Sequence, residues 1–302
     1  GTARFHPVIH LEFAMQMFEK AITLDTTYAL GFAELAYAQW LHYSWYGAGG
    51  KELLDLSLEN AKHAQQLNPQ LGEAYRVIGA VSSMVPPLLL NYTGDIDALN
   101  KAIELNPNDA IAYYLLGTVY QRKDINQSLL FFEQAIQRSP GNSLFYLGKG
   151  KALAKMKLLD SAINVVQEAI EYQPDQIQGY LLLGELFLKK NNIDEAEKSY
   201  HRSIELQPDN SAGYIGLASL YQDIGKIDNA IQSYNLAKIK DSLNRDIYFH
   251  LGQIYLSQRK MNDAKINFEK TIQIGQNDYR VINDVGRAYL DEQFFTEALQ
   301  YF

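Results

Sequence analysis

Few residue groupings in this chain have types and spacings that could do chemistry. Gly47-Ala48-Gly49-Gly50-Lys51 has the glycines and lysine of a phosphate-cradling loop. That pattern requires glycine where Trp45 stands, Ser or Thr where Glu52 stands, and a strand leading into it. His6 and His10 are four residues apart, a metal-ligand spacing on a helix, but Pro7 lies between them and no acidic third ligand is close. His42, His63, His201 and His250 are scattered. Asp95-Ile96-Asp97 lacks the oxygen-ligand spacing and turn glycine of a calcium loop. Carboxylate pairs such as Asp194-Glu195 fall where solvated loops and outer helix faces are expected. With 0 cysteines, thiol nucleophiles, disulfides and thiolate metal sites are excluded together. The expectation is a protein that is not an enzyme, with no catalytic residues, no metal and no cofactor.

The elements that would position functional residues are therefore the stronger signal. The 302 residues are 47% apolar and 21% charged, with 8 Pro and 20 Gly, a composition of folded protein rather than of disordered, collagenous or disulfide-stapled chains. Lys plus Arg is 27 against 35 Asp plus Glu, a net charge of −8. Such a balance argues against nucleic acid or an anionic membrane as partner. The most apolar loop, Met84–Leu90, is far too short to span a bilayer and contains two prolines, so no membrane span is expected. The chain opens on Gly1-Thr2 with no charged-then-apolar leader pattern behind it, and the absence of cysteine fits a reducing compartment, so the expected location is cytoplasmic.

The 21 tyrosines show why the chain is built as it is. Tyrosines recur at Tyr75, Tyr113, Tyr146, Tyr180, Tyr214 and Tyr248, with Phe32 before them and Ile282 after. Four residues beyond each stands a small residue: Ala36, Gly79, Gly117, Gly150, Gly184, Ala218, Gly252 and Gly286. From Gly79 the intervals are 38, 33, 34, 34, 34 and 34. The second half of each unit reads small, large, small at i, i+4, i+7, as in Ala162-Val166-Ala169, Ala196-Tyr200-Ser203, Ala230-Tyr234-Ala237 and Ala264-Phe268-Thr271. Prolines close units at Pro69, Pro107, Pro140, Pro174 and Pro208. Apolar residues at i, i+3/i+4, i+7 predict one adhesive face on each of two short helices per unit. Connections such as Lys190–Asp194 and Asp223–Lys226 are short enough to make the two antiparallel. One pair cannot bury its face alone, so pairs must stack.

This pattern resembles the tetratricopeptide repeat (TPR), a helix–turn–helix of about 34 residues with aromatic, Leu-Gly, Tyr, Ala, Phe and Pro in order. Tyr180, Leu183, Gly184, Phe187, Ala196, Tyr200 and Pro208 occupy nearly every expected slot. The resemblance implies an all-α, right-handed superhelical solenoid of antiparallel helix pairs. Residues 1–28 form a lead-in with a half repeat. Seven TPR units run over 29–278 (29–71, 72–109, 110–142, 143–176, 177–210, 211–244 and 245–278), and a truncated last unit occupies 279–302. Neither end shows a polar cap helix, which suggests an array cut from a longer chain, or an end packed on something, with self-association through uncapped ends as one outcome. Residues 29–71 exceed the standard unit by nine, around 42–50, and residues 72–109 by four, around 84–92. These insertions read either as a local apolar plug or as a partner site using Trp45, Tyr46 and Leu89. The early run Phe18–Ile22, Leu24-Asp25, Tyr28–Leu30 and Phe32–Ala36 also looks like the TPR region of bacterial multidomain signalling proteins: cyclases, kinases and winged-helix regulators.

In the TPR family the first helix of each pair generally lines a concave groove, with groove-facing residues one, five, eight and nine after the tyrosine slot. Carried onto this chain, the first row is Tyr114, Leu147, Leu181, Ile215, Phe249 and Asn283. The second is Thr118, Lys151, Glu185, Ser219, Gln253 and Arg287. Gln121 and Gln222 join a third, and Arg122, Lys155, Lys189 and Asp223 a fourth. Arg122, Lys151, Lys155 and Lys189 would make a basic strip suited to a peptide with an acidic segment or terminal carboxylate; equally, lysines in a helix's last turn complement its dipole. No first helix carries the Lys–Asn pair of a chaperone-tail clamp. The asparagine ladder of sugar-transferase arrays is replaced by Val77, Leu115, Gly148, Leu182, Gly216, His250 and Asp284. The expected function is a non-catalytic protein–protein interaction scaffold that binds a peptide or helix of a partner in its groove. The alternatives are a regulatory or sensory arm of a larger signalling enzyme or transcription regulator, or the TPR region of a glycosyltransferase.

Overall fold

The computed structural model describes residues 7–46, 50–84, 94–276 and 278–302. Among them the chain is all-α, and it divides into two compact units, residues 1–158 and 159–302. The first contains α1 (Pro7–Leu24), α2 (Ala29–Tyr46), α3 (Gly50–Leu67), α4 (Gly72–Met84), α5 (Gly94–Leu105), α6 (Ala110–Tyr120), α7 (Ile125–Arg138) and α8 (Ser143–Lys155). The second contains α9 (Leu159–Tyr172), α10 (Ile177–Lys189), α11 (Ile193–Leu206), α12 (Ser211–Asp223), α13 (Ile227–Lys240), α14 (Arg245–Ser257), α15 (Met261–Ile274), α16 (Tyr279–Asp291) and the short α17 (Phe295–Ala298). Helices pack in pairs: α2 on α3, α4 on α5 and α6 on α7 in the first unit, and α10 on α11, α12 on α13 and α14 on α15 in the second. Successive first helices also touch, as α4 does α6 and α10 does α12.

The recurring tyrosine has a specific task. Its hydroxyl donates to the carbonyl of the residue six positions earlier: Tyr75 to Pro69 at 3.2 Å, Tyr146 to Pro140 at 2.9 Å, Tyr180 to Pro174 at 3.1 Å, Tyr214 to Pro208 at 3.2 Å and Tyr248 to Ser242 at 3.1 Å. Each bond ties the turn between units to the body of the next first helix. Tyr113 is served differently. Arg138 Nε donates to Pro107 O at 2.7 Å, its guanidinium lies 3.8 Å from the Tyr113 ring centroid, and Nη2 donates to the Tyr113 hydroxyl at 2.9 Å. Just past the turn proline, Asp109, Asn142 and Asn210 cap the next helix, as Asn210 does by accepting from Ala212 N at 2.9 Å; such caps satisfy N–H groups that have no partner within the helix.

Inside each pair, the small-large-small triplet fills the space that the first-helix glycine leaves. Ala196, Ala230 and Ala264 are fully buried, as are Tyr234 and Phe268. A Cβ placed on Gly117 or on Gly148 would lie 2.6 Å from the Phe132 ring, and one on Gly252 2.7 Å from Phe268. These glycines are there because an aromatic ring occupies the volume of their missing side chains.

The nine-residue excess in 29–71 is distributed into helix. α2 and α3 are 18 residues each, where typical first and second helices of later pairs have 13 and 14. His42 is buried, Tyr43 and Trp40 pack on the core formed by Ala36, Leu54, Ala61, Val77 and Val81, and Trp40 Nε1 meets Met84 Sδ at 3.0 Å. The side chains of Trp45 and Tyr46, and Leu89 with the rest of the second insertion's loop, lie outside the described residues, as does His6. No helix among the described residues is long and apolar enough to cross a membrane.

Candidate functional site

The residues placed on the first-helix faces divide into two groups. One group is engaged within the fold. Tyr114 is part-buried with its ring 5.8 Å from Phe132 and 5.4 Å from Phe145, and burial pushes its phenol up to about 12. Thr118 Oγ1 donates to Leu115 O at 2.7 Å, and Gln121 Nε2 to Gly148 O at 3.1 Å. Phe249 lies 5.8 Å from Phe268, and Ser219 Oγ is 3.3 Å from the Tyr234 hydroxyl. Gln253 hydrogen-bonds His250, whose ring stacks on Tyr234 with centroids 5.5 Å apart. Leu147 is buried and belongs to the packing. The other group points its charge at solvent: Arg122, Lys151, Lys155, Glu185, Lys189, Asp223 and Arg287 are exposed, and none makes an ion pair among the described residues.

In the first unit, α8 carries Lys151 and Lys155, and Arg122 lies in the turn just after α6. The neighbouring Lys149 is already paired with Glu133 at 3.0 Å, so the three cations are the ones left over. In the second unit, α10 and α12 bring Leu181, Glu185, Lys189, Ile215, Ser219 and Asp223 together around one open pocket of about 750 Å³. Lys189, which the sequence groups with a basic strip, here shares a rim with two carboxylates. Of these side chains, the first unit therefore presents Arg122, Lys151 and Lys155, and the second presents carboxylates and cations together.

Sequence reasoning places Tyr200 only among the packing residues. The structure puts it in the lining of this pocket, together with Leu188, Ile193 and Ile224. Its ring is held between Gly184 and Gly216, where an added Cβ would lie 2.5 Å and 2.4 Å from ring atoms. Tyr200 is only 3% exposed, and its hydroxyl has no hydrogen-bond partner among the described residues. Burial, then the charges of Glu185 and Asp223, raise its phenol above the ordinary range. The available signal was a tyrosine, rather than Phe or Val, at a large slot bracketed by glycine on both sides.

Sequence models of the repeat match much of the chain. A TPR repeat model matches residues 91–124, and tetratricopeptide repeat models match residues 119–186, 181–243 and 246–277. No curated protein matches significantly in sequence. Among solved structures, the human IFIT1 dimer with m7Gppp-AAAA is 17% identical with a TM-score of 0.65, the match covering 90% of this chain and 70% of that one. Yeast Tom70 is 19% identical with a TM-score of 0.68, over 97% of this chain and 62% of that one. At such identities the likeness is one of fold. With four repeat models in tandem from residue 91 to residue 277 and helix pairs throughout, the chain belongs to the tetratricopeptide repeat family.

Proposed function

We propose that this chain is a non-catalytic scaffold that captures an extended segment of a partner protein on its first-helix faces. The observation that carries the reading is the set of charged side chains the fold does not use: Arg122, Lys151 and Lys155 in the first unit, and Glu185, Lys189 and Asp223 in the second, all exposed and unpaired. A helix-pair stack presents such groups preformed, which lowers the ordering cost of binding a flexible segment. In the first unit, three unpaired cations favour an acidic stretch of the partner. The net charge of −8 argues against nucleic acid; the fold does not, since the IFIT1 structure holds m7Gppp-AAAA.

The test is capture from native lysate by the full chain, read by cross-linking mass spectrometry, beside a Lys151→Glu, Lys155→Glu variant and with single-stranded RNA as a competitor. Tyr114 is left unchanged because its ring packs on Phe132 and Phe145. A partner cross-linked to α6 and α8, lost in the variant and indifferent to RNA, is the expected result. Binding that persists unchanged in the variant removes the basic face as the site, and displacement by RNA removes the protein-segment reading.

A further inference from the structure

We propose that the pocket between α10 and α12 takes a lysine or arginine side chain of a partner protein, so that the two units select opposite charges. This rests on the scaffold reading above and names the chemistry of its second contact.

Three observations converge on the same point. The walls are apolar: Leu181 and Leu188 from α10 and Ile215 from α12 line the cavity, with Ile224 beside them. They fit the methylene stem of a long basic side chain, which buries its carbons while its charged head stays with polar partners. Glu185 and Asp223 sit on the rim with no cation of the fold paired to either; Lys189 is the one cation among the lining residues, so two carboxylates face one ammonium. The third element is Tyr200, which lines the same pocket: the residue is 97% buried, with its ring held against Gly184 and Gly216, and its hydroxyl has no hydrogen-bond partner among the described residues. The ring is enclosed while the hydroxyl is reached from the pocket, so a group entering the pocket can bond it directly. An ammonium or guanidinium donates to carboxylates and to a phenol oxygen and has no acceptor of its own, so it supplies what all three groups lack. An acidic side chain would meet two like charges, and an apolar one would leave the hydroxyl unsatisfied. The volume, about 750 Å³, accommodates such a side chain together with the backbone on either side of it.

The test uses the full chain and an immobilised library of extended peptides with random flanks and a fixed centre of arginine, lysine, citrulline, norleucine or glutamate. Arginine and lysine centres should be retained above citrulline, which keeps the shape of arginine without its charge. The preference should shrink about five- to tenfold in a Glu185→Gln, Asp223→Asn variant, the loss expected for two partly exposed charge pairs, and should fade with added salt. Tyr200→Phe, which keeps the ring between Gly184 and Gly216, should weaken the arginine and lysine centres while leaving norleucine as well retained or better. Both carboxylates are exposed and unpaired, so circular dichroism of the double variant should match that of the parent. Equal retention of citrulline and arginine, or a preference for glutamate that survives in the double variant, overturns the pocket's assignment. If peptides bind only through Lys151 and Lys155, the pocket proposal falls and the scaffold reading stands; if no peptide is retained by either unit, both fall.

Discussion

Glycines 184 and 216 set the packing at the residue scale. The Tyr200 ring occupies the space of both their missing side chains, at 2.5 Å and 2.4 Å from a hypothetical Cβ, so Gly184→Ala should destabilise by about 1–3 kcal/mol through overpacking. Pairing it with Tyr200→Val, which copies the Val166 slot of an earlier unit, should cost less than the sum of the two single changes, because the new methyl then fills part of the space the ring vacates. Urea unfolding of the four proteins measures that coupling, and strict additivity would contradict the packing account. His250 gives a pH signature at the same scale. Burial lowers its pKa, against a Gln253 hydrogen bond and the Asp246 charge, which raise it. The fold thus favours the neutral ring, and the unfolded chain binds a proton near the ordinary value of about 6.5. Stability should therefore fall as pH drops through about 6.5, and His250→Gln should flatten that part of the melting-temperature profile relative to the parent. Of these residues, the glycine and large-residue slots were legible from spacing alone. The stacking of His250 on Tyr234 was not, since it depends on which side of a helix faces the preceding pair.

Elements are held to one another by contacts whose sequence signals range from plain to hidden. The six-residue interval from Pro or Ser to Tyr is constant from Pro69-Tyr75 to Ser242-Tyr248 and could have been read as a local tie; the hydroxyl-to-carbonyl bond explains it. The turns inside the pairs are less readable. Lys157, Asn191, Arg259 and Gln293 take positive φ of 62°, 58°, 61° and 65°, a conformation where glycine is the ordinary choice and where, among the described residues, Gly50 at 60° and Gly225 at 75° follow the rule. Hidden altogether was the junction of α2, α4 and α6. Arg76 occupies the first-row position that carries Tyr114 or Leu181 elsewhere, and it turns inward: its guanidinium is 3.0 Å from Asp109 and 3.6 Å from Glu34, and 4.8 Å from the Tyr37 ring centroid. Asp109 also caps α6, accepting from Ile111 N and Ala112 N at 3.1 Å each. Asp109 and Arg76 are 6% and 8% exposed, so Asp109→Ala leaves a buried cation facing only the half-buried Glu34. A loss of about 3–5 kcal/mol is expected, whereas Asp109→Asn keeps the capping oxygen and should avoid the part of that loss owed to the cap, about 1 kcal/mol. Equal destabilisation by the two substitutions in thermal unfolding would assign the whole effect to charge.

At the scale of the whole molecule, a repeat array differs from a single-core domain in how far a local defect travels. Within each unit, helix pairs pack on their neighbours in sequence, so stability is approximately a sum of pair terms and nearest-neighbour interfaces. Gly117 and Gly148 both lodge the Phe132 ring, and a Gly117→Ala change strains that ring's contacts with α6 and α8. The consequence should be local: backbone amide exchange should quicken through α6, α7 and α8 and stay at parental rates in α14 and α15. A domain organised around one shared core would instead lose protection throughout, because its segments open together. Hydrogen-exchange mass spectrometry on the parent and the variant separates the two behaviours peptide by peptide. Uniform acceleration would mean that cooperativity extends across the chain and that the pairs do not act as near-independent layers. Local acceleration would also explain how the two faces can carry opposite charge preferences: when each layer is stabilised mainly by its neighbours, surface residues of one pair can change without cost to a distant one.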